Sequence, residues 1–169
     1  MIASGNYRQT IDASFLEIAP EDSDKVKSQY QTLATFTTKT TSNAKRNTNV
    51  RLAAEALNGT IVQPGEEFSF NEVVGQRTEE KGYQAAAAYS SGEVVQEIGY
   101  ATAAAYENGQ VVDSVGGGVC QISSTLYRVV FQSGMEITYR RSHTFEPNYV
   151  TPGQDAAISW EQPDFRFIN

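Results

Sequence analysis

Cysteine and histidine each occur once in this chain, as Cys120 and His143. A thiol whose proton passes to a neutral imidazole is a nucleophile for acyl transfer, and a carboxylate that orients the ring completes the unit. Asp155 is the candidate orienter, with Glu146 and Asp164 behind it. Cys120 follows Gly116, Gly117 and Gly118 in VGGGVCQISSTLY and sits where a glycine loop turns into a helix. Unpaired N–H groups and the helix dipole favour an anion there. Amides from Gly117 and Gly118 through Gln121 could hold an oxyanion, and Gln121, Ser123 and Ser124 could line the site. The opposite reading is the commoner fate of these residue types: a buried cysteine packs as a small hydrophobe, and the histidine and carboxylates have unrelated places.

Positioning these residues requires particular elements. The stretch CQISSTLYRVVFQSG carries Ile122, Leu126, Val129 and Val130 at helical spacing, with Gly134 as the stop. MEITYRRSHTF reads as a strand with Met135, Ile137 and Tyr139 on one face and His143 at its end. A helix followed by a returning strand can bring that end back beside the helix start, because about 20 Å of helix is matched by six to nine strand residues. Upstream, NVRLAAEALNG predicts a helix capped by Asn47 or Thr48, with Val50, Ala53, Ala54 and Leu57 as its apolar face. TIVQPGEEFSFNEVVG predicts strand, Pro-Gly turn and strand, with Phe68 and Phe70 on one side. Residues 1–33 are poorly patterned and read as an N-terminal arm to a single domain over 34–169.

Residues 82–98 and 99–115 align without gaps at a period of 17, from Gly82/Gly99 and Tyr83/Tyr100 to Val95/Val112. This is a tandem duplication, and each copy predicts a β-hairpin, most clearly at Asn108-Gly109. A helix through Ala85–Ala88 is the competing expectation. The fold class expected is therefore α+β: an antiparallel sheet packed with about two principal helices, the cysteine at a helix N-terminus, and duplicated hairpins at 82–115.

Composition narrows the partners. Thirteen Lys and Arg against 20 Asp and Glu give a net charge of −7, which disfavours nucleic acid and anionic membrane surfaces. One Cys and one His form neither an intrachain disulfide nor a four-ligand zinc site. No apolar run approaches a membrane span, and the opening MIASGNYRQT lacks the features of a signal peptide.

The motifs TFTT, NVRLAAEALNGTIVQPGEEFSFNEVVGQRTEEKGY, GGGVCQISSTLY, PGQDAAISW and PDFRF, in that order over about residues 34–169, resemble the VanW-like domain family. The resemblance implies an extracellular or cell-envelope location, with tethering by a segment outside this sequence, a link to vancomycin-resistance clusters, and peptidoglycan or other wall material as partner. No cofactor and no metal are expected. The resemblance also implies that one 17-residue copy is an insertion, and that Arg141 stands where the family often carries the first His of a His-x-His pair, which weakens any reading in which both imidazoles bind a metal. The order of glycine loop, Cys at a helix start, strand and His is similar in pattern to transglutaminase-like and papain-like enzymes. Three functions follow as expectations: a Cys-His acyl transferase or amidase on wall peptides, a wall-binding module using Tyr83, Tyr89, Tyr100 and Tyr106, or a scaffold.

Overall fold

The computed structural model describes residues 31–86, 106–107, 110–111, 114–143 and 147–169. The chain divides into two units, Met1–Thr32 and Leu33–Asn169. Most of the first, residues 87–105 of the repeat region and Glu146 lie outside the described residues, and with them the N-terminal arm and the first predicted hairpin.

The first helix, α1, spans Ala44–Leu57 and begins earlier than Asn47 or Thr48 would set it. Its cap is Asn43, whose side chain accepts from the Arg46 N–H at 3.1 Å, while Thr48 turns its hydroxyl back on the Ala44 carbonyl. Its buried face is Arg46, Asn49, Val50 and Ala53, spaced i, i+3, i+4 and i+7. Ala54, expected on that face, is exposed.

Strand β1 is short, Glu67–Ser69, and the chain then coils into α2, Phe70–Val74. The predicted continuous strand through Phe70 is thus a strand-to-helix junction. Ser69 accepts from the Glu72 N–H at 3.1 Å, the side-chain half of a Ser-x-x-Glu capping box. Phe68 and Phe70 are both buried in spite of this, one from the strand and one from the helix.

A 3-10 turn at Glu79–Lys81 precedes β2, Ala85–Ala86, which excludes the alternative helix at its first two residues. β3, Tyr106–Glu107, pairs antiparallel with β4, Gln110–Val111, in the hairpin of the second repeat copy. β5, Ser114–Val115, returns against β2. Helix α3 covers Cys120–Gln132, followed by Gly134 at φ 73° and by β6, Glu136–Tyr139. The last strand, β7, Arg166–Ile168, lies between β1 and β6 in a three-stranded antiparallel sheet of order β1-β7-β6. The architecture is α+β.

Aromatic rings fill the space between this sheet and α3. Phe68 and Phe167 are cross-strand partners and stack at 4.8 Å, and Phe165 meets Tyr127 of α3 edge-on at 5.7 Å. The most buried side of α3 is largely polar, however: Gln121, Ser123 and Ser124 are inside, whereas Ile122 and Leu126 only border the core. That polar side faces the chain segment that builds the site.

Candidate functional site

Residues 155–158 form the spine of the site by alternating their bonds between two neighbours. Asp155 and Ala157 turn toward 141–143: Asp155 binds His143, and the Ala157 N–H donates to the Arg141 carbonyl at 2.8 Å. Ala156 and Ile158 turn toward the first turn of α3. Ala156 O accepts from the Ser123 hydroxyl at 2.6 Å, Ala156 N–H donates to Ser124 Oγ at 3.0 Å, and Ile158 binds Cys120. An extended segment with period two thereby places His143, which lies four residues beyond the end of β6 rather than at its end, and the helix-start Cys120 against one backbone.

Cys120 is 7% exposed, and its thiol donates to Ile158 O at 3.3 Å while the Ile158 N–H points to the sulfur at 3.5 Å. The His143 ring is fully buried, with Nδ1 on Asp155 Oδ2 at 2.5 Å, and the His143 backbone N–H donates to the same oxygen at 2.6 Å. Asp155 Oδ1 accepts from Arg140 Nη2 at 3.2 Å. The Arg140 guanidinium also bonds the Asp155 and Gly153 carbonyls and lies over the Tyr127 ring. Both carboxylate oxygens are therefore occupied, and the imidazole is held through Nδ1. Its other nitrogen, Nε2, is buried without a hydrogen bond of ordinary geometry.

Charge ties Cys120 into this pair. Burial pulls the His143 imidazole down, but Asp155 and Cys120 outweigh it and raise its pKa from 6.5 to about 10. Burial likewise pushes the Asp155 carboxyl up, and His143, with Arg140 behind it, more than reverses this and holds it below the usual carboxylate range. His143 and Asp155 thus form a hydrogen-bonded pair on which the charge of Cys120 also acts.

The remaining sequence candidates have other partners. Asp164 accepts from Ser69, Asn71, Phe165 and Arg166, and does not touch His143. Gln121 is 1% exposed, accepting from Arg46 Nη1 at 2.7 Å and donating to Thr38 and to the Lys39 carbonyl. Ser123 and Ser124 are fully buried, with their hydroxyls on Ala156. These three side chains join α3 to its surroundings rather than open toward a ligand. The N–H groups of Val119 and Gln121 are likewise committed, to the Gly116 and Gly118 carbonyls. Tyr83 is buried rather than presented at the surface, while Tyr89 and Tyr100 lie outside the described residues.

The glycines earn their place by close approach. A Cβ on Gly117 would stand 2.0 Å from the Ala86 carbonyl oxygen, and Gly118, at φ 99°, lies against the Arg46 stem. Asn49 of α1 locks this loop, donating to the Gly117 and Gln84 carbonyls and accepting from Gln84 N–H. Two residues beside the site had no chemical signature in the sequence. Asn71 of α2 donates to the carbonyls of Ser159, Glu161 and Pro163, the loop that follows Ile158, and it accepts from Arg77. Among the described residues no group of three or more His, Cys, Asp and Glu side chains is arranged to hold a metal ion, and no helix is long and apolar enough to cross a membrane.

An α+β domain with a buried cysteine at a helix start and a histidine held by a carboxylate is the class that fold and site define. The family model described as VanW like protein matches residues 45–99 and 92–169, and the chain belongs to this family. The two matched stretches overlap at 92–99, inside the tandem repeat. The chain is 43% identical over 128 residues to the uncharacterized protein YoaR of Bacillus subtilis (strain 168), covering 76% of this chain and 37% of that protein. It is 31% identical over 126 residues to the vancomycin B-type resistance protein VanW of Enterococcus faecalis (strain ATCC 700802 / V583), covering 72% and 40%. It thus spans about two fifths of the length of these relatives. No solved structure matches.

Proposed function

We propose that this domain is a cysteine-dependent acyl transferase or amidase that acts on the peptides of cell-wall material in the cell envelope. The observation that carries the proposal is the His143 site: Asp155 occupies His143 Nδ1, Nε2 is left without a hydrogen-bond partner, and Asp155 and Cys120 together raise the His143 pKa to about 10. In the reaction, Cys120 gives its thiol proton to His143, Sγ bonds to an amide carbonyl carbon, the C–N bond breaks, and the departing nitrogen takes that proton from His143. Water or an acceptor amine then attacks the thioester, losing a proton to His143 and freeing the thiol. Asp155 holds the imidazolium before the C–N bond breaks and again when the attacking water or amine gives up its proton. The resistance protein among the relatives supports wall material as the setting. One 17-residue copy is an insertion into the domain, supported by the overlap of the two family matches within the repeat.

The test is turnover of purified wall peptides followed by mass spectrometry. Cleaved or exchanged peptides are expected with the native sequence and a loss of about 10³-fold or more with Cys120→Ala. Equal turnover by both proteins contradicts the proposal. A second reading draws on a cleft of about 440 Å³ lined by Thr37–Thr41, Asn148 and Tyr149 and linked to α3 through Thr38 and Ser124. Its hydroxyls suit a polar polymer held without chemistry. Wall fragments that bind the Cys120→Ala variant undiminished, with no turnover by the native chain, would favour that reading.

A further inference from the structure

A cation stands beside the Cys120 cluster and has no part in the chemistry above. The stem of Arg77 packs against the glycine loop, where a Cβ on Gly116 would lie 2.8 Å from Arg77 Cβ. Its Nη1 donates to Asn71 Oδ1 at 2.8 Å and to the Gly75 carbonyl at 3.0 Å. Asn71 in turn carries the Ser159–Pro163 loop, directly after the Ile158 backbone that grips the Cys120 sulfur. Arg77 is thereby fixed to both segments that position the thiol.

A guanidinium offers five N–H donors in a planar fork, and Nε and Nη2 of Arg77 donate to no described residue. Burial lowers the Arg77 pKa, and the charges that oppose this are Cys120 first, then Tyr83 and Asp164. Lys81 adds a second positive charge nearby, its Nζ 2.8 Å from where a Gly75 Cβ would stand. A chain of net charge −7 therefore keeps a cation, Arg77, close to its nucleophile, with Lys81 beside the Gly75 turn that holds it.

We infer that Arg77 determines specificity at this site, and that the substrate is a peptide whose released residue bears a free carboxylate, held by the spare edge of the Arg77 fork. The inference rests on the acyl-transfer reading: when Cys120 forms the thioester and the C–N bond breaks, the amino acid that leaves with the His143 proton carries that carboxylate away. Arg77 also offsets the repulsion between such a carboxylate and a thiolate.

Two alkylating reagents of similar size test this on the full chain. Iodoacetate carries the carboxylate and iodoacetamide does not, and each transfers its carbon to sulfur with loss of iodide. The ratio of their rates at Cys120 is expected to fall about 10- to 100-fold in Arg77→Gln, the range of a charge-assisted hydrogen-bonded pair, and less in Arg77→Lys. Lys81→Gln should change it less than about twofold, as an exposed charge does. An unchanged ratio in Arg77→Gln overturns the inference. The native chain gives a reading free of folding effects: a blocked dipeptide with a free carboxylate should slow iodoacetamide alkylation, and its C-terminal amide should not. Equal protection by the two overturns the inference. Selective protection without any peptide turnover keeps the Arg77 site and removes the acyl-transfer reading, whereas equal turnover of free and amidated peptides keeps the reaction and removes Arg77.

Discussion

His143 is held from both sides, and the consequences appear in its pH dependence. Its folded pKa lies above its unfolded value, so the stability it contributes is full below pH 6.5 and is lost as pH rises toward about 10. Asp155 is depressed, so its contribution is present above its unfolded value of 3.8 and is lost as pH falls through the lower folded value. Urea titrations should therefore show greatest stability between these limits and a decline from pH 7 to 10 that His143→Gln flattens. A slope shared by both proteins would contradict the coupling. Asp155→Asn leaves a buried imidazolium and Arg140 without their anion, and should cost about 3–5 kcal/mol at pH 6 in the same measurement. The three members of this cluster were legible in the sequence because each is of a reactive type and two occur only once. Arg77 was not, since nothing local distinguishes it from a surface arginine until Gly116 and Asn71 arrive from elsewhere in the chain.

The elements act on the site through a few close approaches. The glycine loop meets β2 so tightly that Gly117→Ala would drive a methyl group into the Ala86 carbonyl. A loss of roughly 1–3 kcal/mol is expected from this overpacking, with slower Cys120 alkylation if the helix start shifts. Calorimetry that finds the variant as stable as the native chain would refute the close fit. Asn71→Ala removes bonds to three carbonyls of the loop after Ile158 and to Arg77, and should cost about 1–3 kcal/mol in chemical denaturation. Helix α3 and β6 were readable because apolar period and glycine stop agree there. The junction at Ser69 was not, because Phe68 and Phe70 fit period two equally well; the Ser69-x-x-Glu72 capping box was the signal that separates the two. The polar inner side of α3 defeated a reading built on Ile122 and Leu126, since Gln121, Ser123 and Ser124 are buried by virtue of bonds to distant backbone.

In the Leu33–Asn169 unit as a whole, a small aromatic core supports a buried polar site. Phe165 is fully buried between Tyr127 and Phe167, one residue from Asp164 and at the end of the loop that Asn71 carries. Phe165→Ala should cost about 3–5 kcal/mol, observable as a lower denaturation midpoint with unchanged slope. The α+β class was legible from alternating helical and strand patterns, whereas the splitting of the strands, among the described residues, into one three-stranded and two two-stranded sheets depends on pairings over long separations, such as Phe68 with Phe167. The site joins parts of the chain that no local pattern connects: the start of α3, the segment that follows β6, and the segment before β7. The ring nitrogens of the lone histidine report on that junction directly by ¹⁵N NMR. Titration of His143 near pH 10, shifting downward in Cys120→Ala, is the predicted result. An ordinary titration near 6.5, indifferent to the loss of the sulfur, would contradict it.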